Sequence, residues 1–95
     1  MTTAQRTDTY LVYLATEWAS VPNVSASWAA WDEDERLDFQ VEWAIREDRL
    51  GVLEEMAAAD ALTLTQCDRL AVLQRLVARN RPTIERLFAD AFSAS

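Results

Sequence analysis

Apolar residues recur at helical intervals along most of the chain. Tyr10, Leu11, Leu14 and Trp18 return every three or four positions, which predicts a first helix capped by Thr7 or Asp8. The polar stretch Ser20–Ser27, interrupted by Pro22, reads as a loop and as the main break between helices, with a short helical turn leading from Ser25 or Ser27 to Trp31. A long helix is then expected from about Glu33 to Ala58, bent or split between Trp43 and Gly51, the only glycine. Projected as a helix, this segment has two apolar stripes. Leu37, Val41, Ala44, Ile45, Val52 and Met56 share one face, while Phe39, Trp43 and Leu50 lie nearly opposite. A helix apolar on two faces is expected either to be central in its bundle or to bury one face in the core and offer the other to a partner; in the second case Phe39, Trp43 and Leu50 are the stripe assigned to a homodimer.

Further on, Leu64 precedes Thr65-Gln66-Cys67-Asp68, a capping-box pattern that predicts a helix carrying Leu70, Leu73, Leu76 and Val77. Arg79-Asn80-Arg81-Pro82 marks its expected end. A last short helix, Thr83 to about Phe92, would bury Ile84, Leu87, Phe88 and Ala91, with Pro82 in its first turn. The expected fold is therefore all-α, a single-domain bundle of about four helices over residues 1–95, with frayed ends at 1–6 and 93–95.

The segment Ser27-Trp28-Ala29-Ala30-Trp31-Asp32-Glu33-Asp34-Glu35-Arg36 joins two tryptophans to five charges. Asp32 and Glu35 have the spacing of a capping box, in which each side chain accepts from the other's backbone N–H. Glu33 and Asp34 fall in the same first turn, where the helix dipole favours negative charge. Trp31, just before the cap, is placed to staple the helix start, with Arg36 over its indole.

Composition narrows the chemistry. With one glycine and no histidine in 95 residues, phosphate-cradling loops, Ser-His-Asp triads, Cys/His zinc sites and Glu-x-x-His di-iron sites are all excluded. The lone Cys67 cannot form an internal disulfide and is expected in the core. What remains is carboxylate chemistry: Asp32, Glu35, Asp38 and Glu42 are spaced to share a helix face that could meet a divalent ion, with Glu54 and Glu55 as a second set. All-α nucleotide pyrophosphohydrolases hold Mg²⁺ with ExxE and ExxD carboxylates on paired helices. Glu35-x-x-Asp38 is the nearest match here, but Glu54 and Glu55 are each followed three residues on by alanine, so the pair is missing. No metal site and no cofactor is expected; the acids read as a solvated face, with Glu42 pairing Arg46.

Charge is uneven. The net charge is −7, with four arginines against thirteen acids in residues 1–60 and five against three in residues 61–95. An acidic chain disfavours nucleic acid and anionic lipid as partners. Arg75, Arg79 and Arg86, with Arg69 and Arg81, would form a basic stripe only if the last two helices were continuous; otherwise Arg81 is expected to pair with Glu85. No apolar run is long enough to cross a bilayer, and residues 1–10 carry no secretory pattern, so the expected location is the cytoplasm. All four tryptophans lie in the first half. The expected function is non-enzymatic: a small regulatory, accessory or inhibitor-like protein that binds a protein partner through Trp28, Trp31, Asp32, Glu33, Asp34, Phe39 and Trp43. The alternatives are a Mg²⁺-dependent hydrolase and a structural subunit of a larger assembly.

Overall fold

A computed structural model describes residues 2–93, with side chains through residue 90. Those residues form α1 (Thr3–Ala19), α2 (Val21–Ser27), a 3₁₀ turn at Trp28–Ala30, α3 (Glu33–Ala58) and α4 (Leu64–Ser93). The all-α bundle is as expected, and among the described residues there is no strand. Its extents are 45 × 25 × 19 Å, and the long dimension is that of α4, whose 30 residues at about 1.5 Å each form the spine on which α1, α2 and α3 pack.

Several boundaries differ from those expected. Helix α1 begins at Thr3, capped by Thr2 rather than Thr7 or Asp8, because Thr2 and Gln5 form a capping box. The Thr7 hydroxyl donates instead to the carbonyl of Thr3 at 2.9 Å. Residues 3–6 are thus helical, not frayed; at the other end, α4 runs to Ser93 and residues 94 and 95 lie outside the described residues.

Ser20–Ser27 is not a loop. Ser20 ends α1 and starts α2, its carbonyl accepting from the N–H of Asn23 and Val24 at 3.0 and 3.1 Å. Pro22 sits in the first turn of α2, where a missing N–H costs nothing, and Val21 beside it is fully buried.

The start of α3 is as the sequence implies. The Asp32 carboxylate accepts from the Glu35 N–H at 2.8 Å, and Glu35 Oε1 accepts from the Asp32 N–H at 3.4 Å. The expected break between Trp43 and Gly51 does not occur; α3 runs unbroken to Ala58 because Leu50 and Leu53, on either side of Gly51, are both anchored in the core. A Cβ at Gly51 would meet nothing within 4 Å. Gly51→Ala is accordingly expected to raise stability by about 0.5–1 kcal/mol, measured by urea denaturation, since it removes unfolded-state freedom at no steric cost.

A Schellman turn ends α3, with the Ala61 N–H donating to Met56 O at 2.9 Å and the Asp60 N–H to Ala57 O at 3.1 Å. Asp60 takes the left-handed position usually given to glycine, at φ 59°.

Helix α4 starts two residues earlier than expected. Thr63, not Thr65, forms the box with Gln66, at 2.9 and 3.1 Å, and the Gln66 amide donates onward to Asp8 Oδ1 at 3.1 Å, tying the α4 start to α1. Cys67 consequently points outward and is exposed, contrary to expectation. The expected break at Arg79–Pro82 is also absent, since α4 carries Pro82 inside it. Val77, Ile84 and Leu87 are buried on both sides of the proline, so core packing holds the helix together across the backbone bond that Pro82 cannot donate. Arg81 turns from Glu85 to Glu47 on α3, with Nη2 at 2.8 and 2.7 Å from the two carboxylate oxygens.

Candidate functional site

The aromatic residues singled out in the sequence form one connected cluster. Trp18 and Trp43 meet edge to face with centroids 4.7 Å apart; Phe39 stacks on Trp43 at 5.3 Å; Trp28 and Trp31 adjoin Phe39 at 5.8 and 5.7 Å. Phe88 closes the cluster from α4, 6.1 Å from Phe39. Nothing local in the sequence ties Phe88 to this group, because the contact spans the turn between α3 and α4.

The two stripes of α3 are assigned the opposite way from the expectation. Trp43 and Leu50 are 2% and 3% exposed and Phe39 packs against the same core, so this stripe is consumed within the chain and is not a free dimer surface. The other stripe faces out: Leu37 and Val41 are each 58% exposed, Ile45 54% and Val52 49%. Aromatic rings bury more apolar area per residue than aliphatic ones, and Trp18 offers them an edge-to-face partner, so the aromatic stripe takes the core.

Of the seven candidate partner-binding residues, Trp28 and Trp43 are buried, Trp31 and Phe39 are half-buried, and Asp32, Glu33 and Asp34 are exposed. Asp32 is committed to the cap. Trp31 and Phe39 line a shallow open hollow of about 250 Å³ whose remaining wall is Glu35, Asp38 and Glu42, all three exposed. Glu33 and Asp34 are not part of it. The three acids that complete the hollow belong to the set of four, with Asp32, whose spacing suggested a metal face, yet among the described residues no group of three or more such side chains is placed to hold an ion. Glu35 is drawn into the cap, and Glu42 lies 3.5 Å from Arg46.

The arginines of α3 are held on aromatic rings. Arg36 lies over Trp28, not Trp31, at 5.6 Å, and its Nε donates to the Trp28 carbonyl at 3.0 Å. Arg49 lies 4.9 Å over Tyr10. Arg46 is buried against Trp43, 5.4 Å from its centroid; its Nε donates to the Tyr13 hydroxyl at 3.1 Å and its Nη2 lies 3.4 Å from Glu17. Arg36 and Arg46 are thereby drawn inward, while Arg49 stays exposed beside Tyr10.

A second hollow, about 440 Å³, lies between α1 and α4, where Val12, Ala15, Thr16 and Val72 are flanked by Asp68 and Arg69. One acid and one base on its rim give it no charge preference. Arg75, Arg79 and Arg86 are exposed on the continuous α4.

No helix among the described residues is long and apolar enough to cross a membrane. Fold and site together define a small all-α bundle with an acid-rimmed aromatic hollow. Compared with known proteins, the chain matches no family model, no curated protein and no solved structure.

Proposed function

We propose that this protein acts by binding a protein partner rather than by catalysis, as a small regulatory, accessory or inhibitor-like chain of the cytoplasm, and that the hollow at the start of α3 receives a basic side chain of that partner. The observation that carries this reading is the pairing of half-buried Trp31 and Phe39 with the exposed carboxylates of Glu35, Asp38 and Glu42 around one shallow cavity. An arginine or lysine entering it gains ring-face attraction and carboxylate pairing in the same place. The rim acids also attract basic surfaces at a distance, and the chain's net charge of −7 adds to that attraction.

The reading narrows the expected site. Trp28 and Trp43 support the hollow from beneath, and Glu33 and Asp34 contribute only field. Affinity capture from the source cells, with the full chain and its Trp31→Ala/Asp38→Lys variant as baits, tests it. The wild type is expected to retain a basic protein that the variant loses while its far-UV circular dichroism is unchanged. Identical captures by both baits would count against the hollow as the binding site.

A further inference from the structure

Leu37, Val41, Ile45 and Val52 form an exposed aliphatic line along the outer side of α3, about 22 Å long at 1.5 Å per residue. Four large side chains roughly half exposed in register on one helix face are anchors of the kind used when a second helix lies against the first. Acids stand on the same face: on the helix projection Asp34 and Glu55 lie at the two ends of the line, Asp48 within it and Asp38 at its edge, all exposed, while Arg36 and Arg46 are turned away against the aromatic cluster and Arg49 lies over Tyr10.

Those acids decide the occupant. If a second copy laid the same line antiparallel on this one with Leu37 opposite Val52, Val41 would face Asp48 and Asp34 would face Glu55. A parallel pairing would set Asp48 against Asp48. Either arrangement buries or confronts like charges, which opposes self-association. An anionic lipid surface meets the same repulsion. A helix that carries both apolar and basic residues on its docking face satisfies the aliphatic side chains and the acids that stand among them.

We propose that the partner presents a basic amphipathic helix, which docks along Leu37, Val41, Ile45 and Val52 with cationic side chains set against Asp34, Asp38, Asp48 and Glu55. This rests on the reading that the protein acts by binding a protein partner, and it names the kind of segment bound. Asp38 belongs both to this face and to the hollow at Trp31, so an arginine of the docked helix has the hollow within the same surface.

The test is a fluorescein-labelled 18-residue peptide of leucine, arginine and alanine, with leucines at i, i+3, i+4 and i+7 spacing. It is titrated into the full chain by anisotropy beside a scrambled peptide of equal composition and a glutamate-for-arginine version. Saturable one-to-one binding is expected, at least about tenfold tighter than the scrambled peptide, with none for the acidic version. Val41→Ser/Ile45→Ser alters only exposed positions and should weaken it about tenfold or more while leaving the thermal midpoint unchanged.

Equal binding of the scrambled peptide, or unchanged binding by the double variant, overturns the proposal. So does wild-type dimerisation in sedimentation equilibrium that the double variant abolishes, which would make a second copy the occupant. Trp31→Ala run in parallel separates the two readings. Loss with Trp31→Ala but not with the double variant overturns the docking line and leaves the hollow standing. Loss with the double variant supports the line whatever Trp31→Ala does.

Discussion

Trp43→Ala is expected to lower stability by about 3–5 kcal/mol, the range for truncating a large buried aromatic. Trp43 is 2% exposed, edge to face with Trp18 at 4.7 Å and stacked on Phe39 at 5.3 Å, so its removal empties the junction of α1 and α3. A domain of this size has little more than the lower end of the usual 5–15 kcal/mol to lose, and the variant should be largely unfolded at 37 °C by circular dichroism. Trp43→Phe provides the contrast. It keeps a ring in the stack and removes an indole N–H that is buried without an acceptor, so its cost should stay below about 2 kcal/mol. A loss under about 1 kcal/mol for Trp43→Ala would contradict the burial of the aromatic stripe.

Arg46 gives the second large effect, and its sign depends on the replacement. The side chain is 10% exposed, and its Nη1 is buried without a hydrogen-bond partner while Nη2 lies 3.4 Å from Glu17 and 3.5 Å from Glu42. Arg46→Ala removes the guanidinium that lies against the rings of Tyr13, Phe39 and Trp43, together with the buried stem that carries it, and is expected to cost about 2–3 kcal/mol. The side chains of Glu17 and Glu42 are 28% and 64% exposed, so both rehydrate once the guanidinium is gone, which keeps the loss below that of a fully buried pair. Arg46→Met keeps the volume and abolishes the desolvated charge, and is expected to be neutral or stabilising by about 1 kcal/mol. Urea denaturation of the two variants side by side decides the point: equal losses would mean that charge pairing, not packing, is what Arg46 supplies.

How much of this was legible beforehand depends on how local each cause is. The Asp32–Glu35 box was visible because both partners lie within one turn and satisfy each other's N–H groups. The Glu42–Arg46 pair was visible for the same reason. Pro22 and Pro82 take positions that their local sequence does not announce. Pro22 looked like a loop residue but occupies a helical first turn; Pro82 looked like a boundary but sits inside α4, held by Val77, Ile84 and Leu87. The second cap was misplaced because Thr63 and Thr65 both suit the role locally. The buried Gln66, which reaches Asp8 on α1, fixes Thr63.

The candidate site shows the same division. The sequence named Trp31 and Phe39, and it drew attention to Glu35, Asp38 and Glu42 for a different chemistry. Only folding brought the five around one hollow and sank Trp28 and Trp43 beneath it.

By itself, then, the sequence determined the helical class, the start of α3, the excluded catalytic and metal chemistries, and the acidic character of the first 60 residues. These follow from backbone propensity, capping and composition, which act within a few residues or over the whole chain. The tertiary structure alone decided which stripe of α3 faces the core, that α4 continues through Pro82, and that α2 exists. A helical period reveals that a face is apolar but not what covers it. That choice is made by partners distant in sequence, Trp18, Ile84 and Phe88, whose contacts with α3 and its neighbours no local pattern encodes.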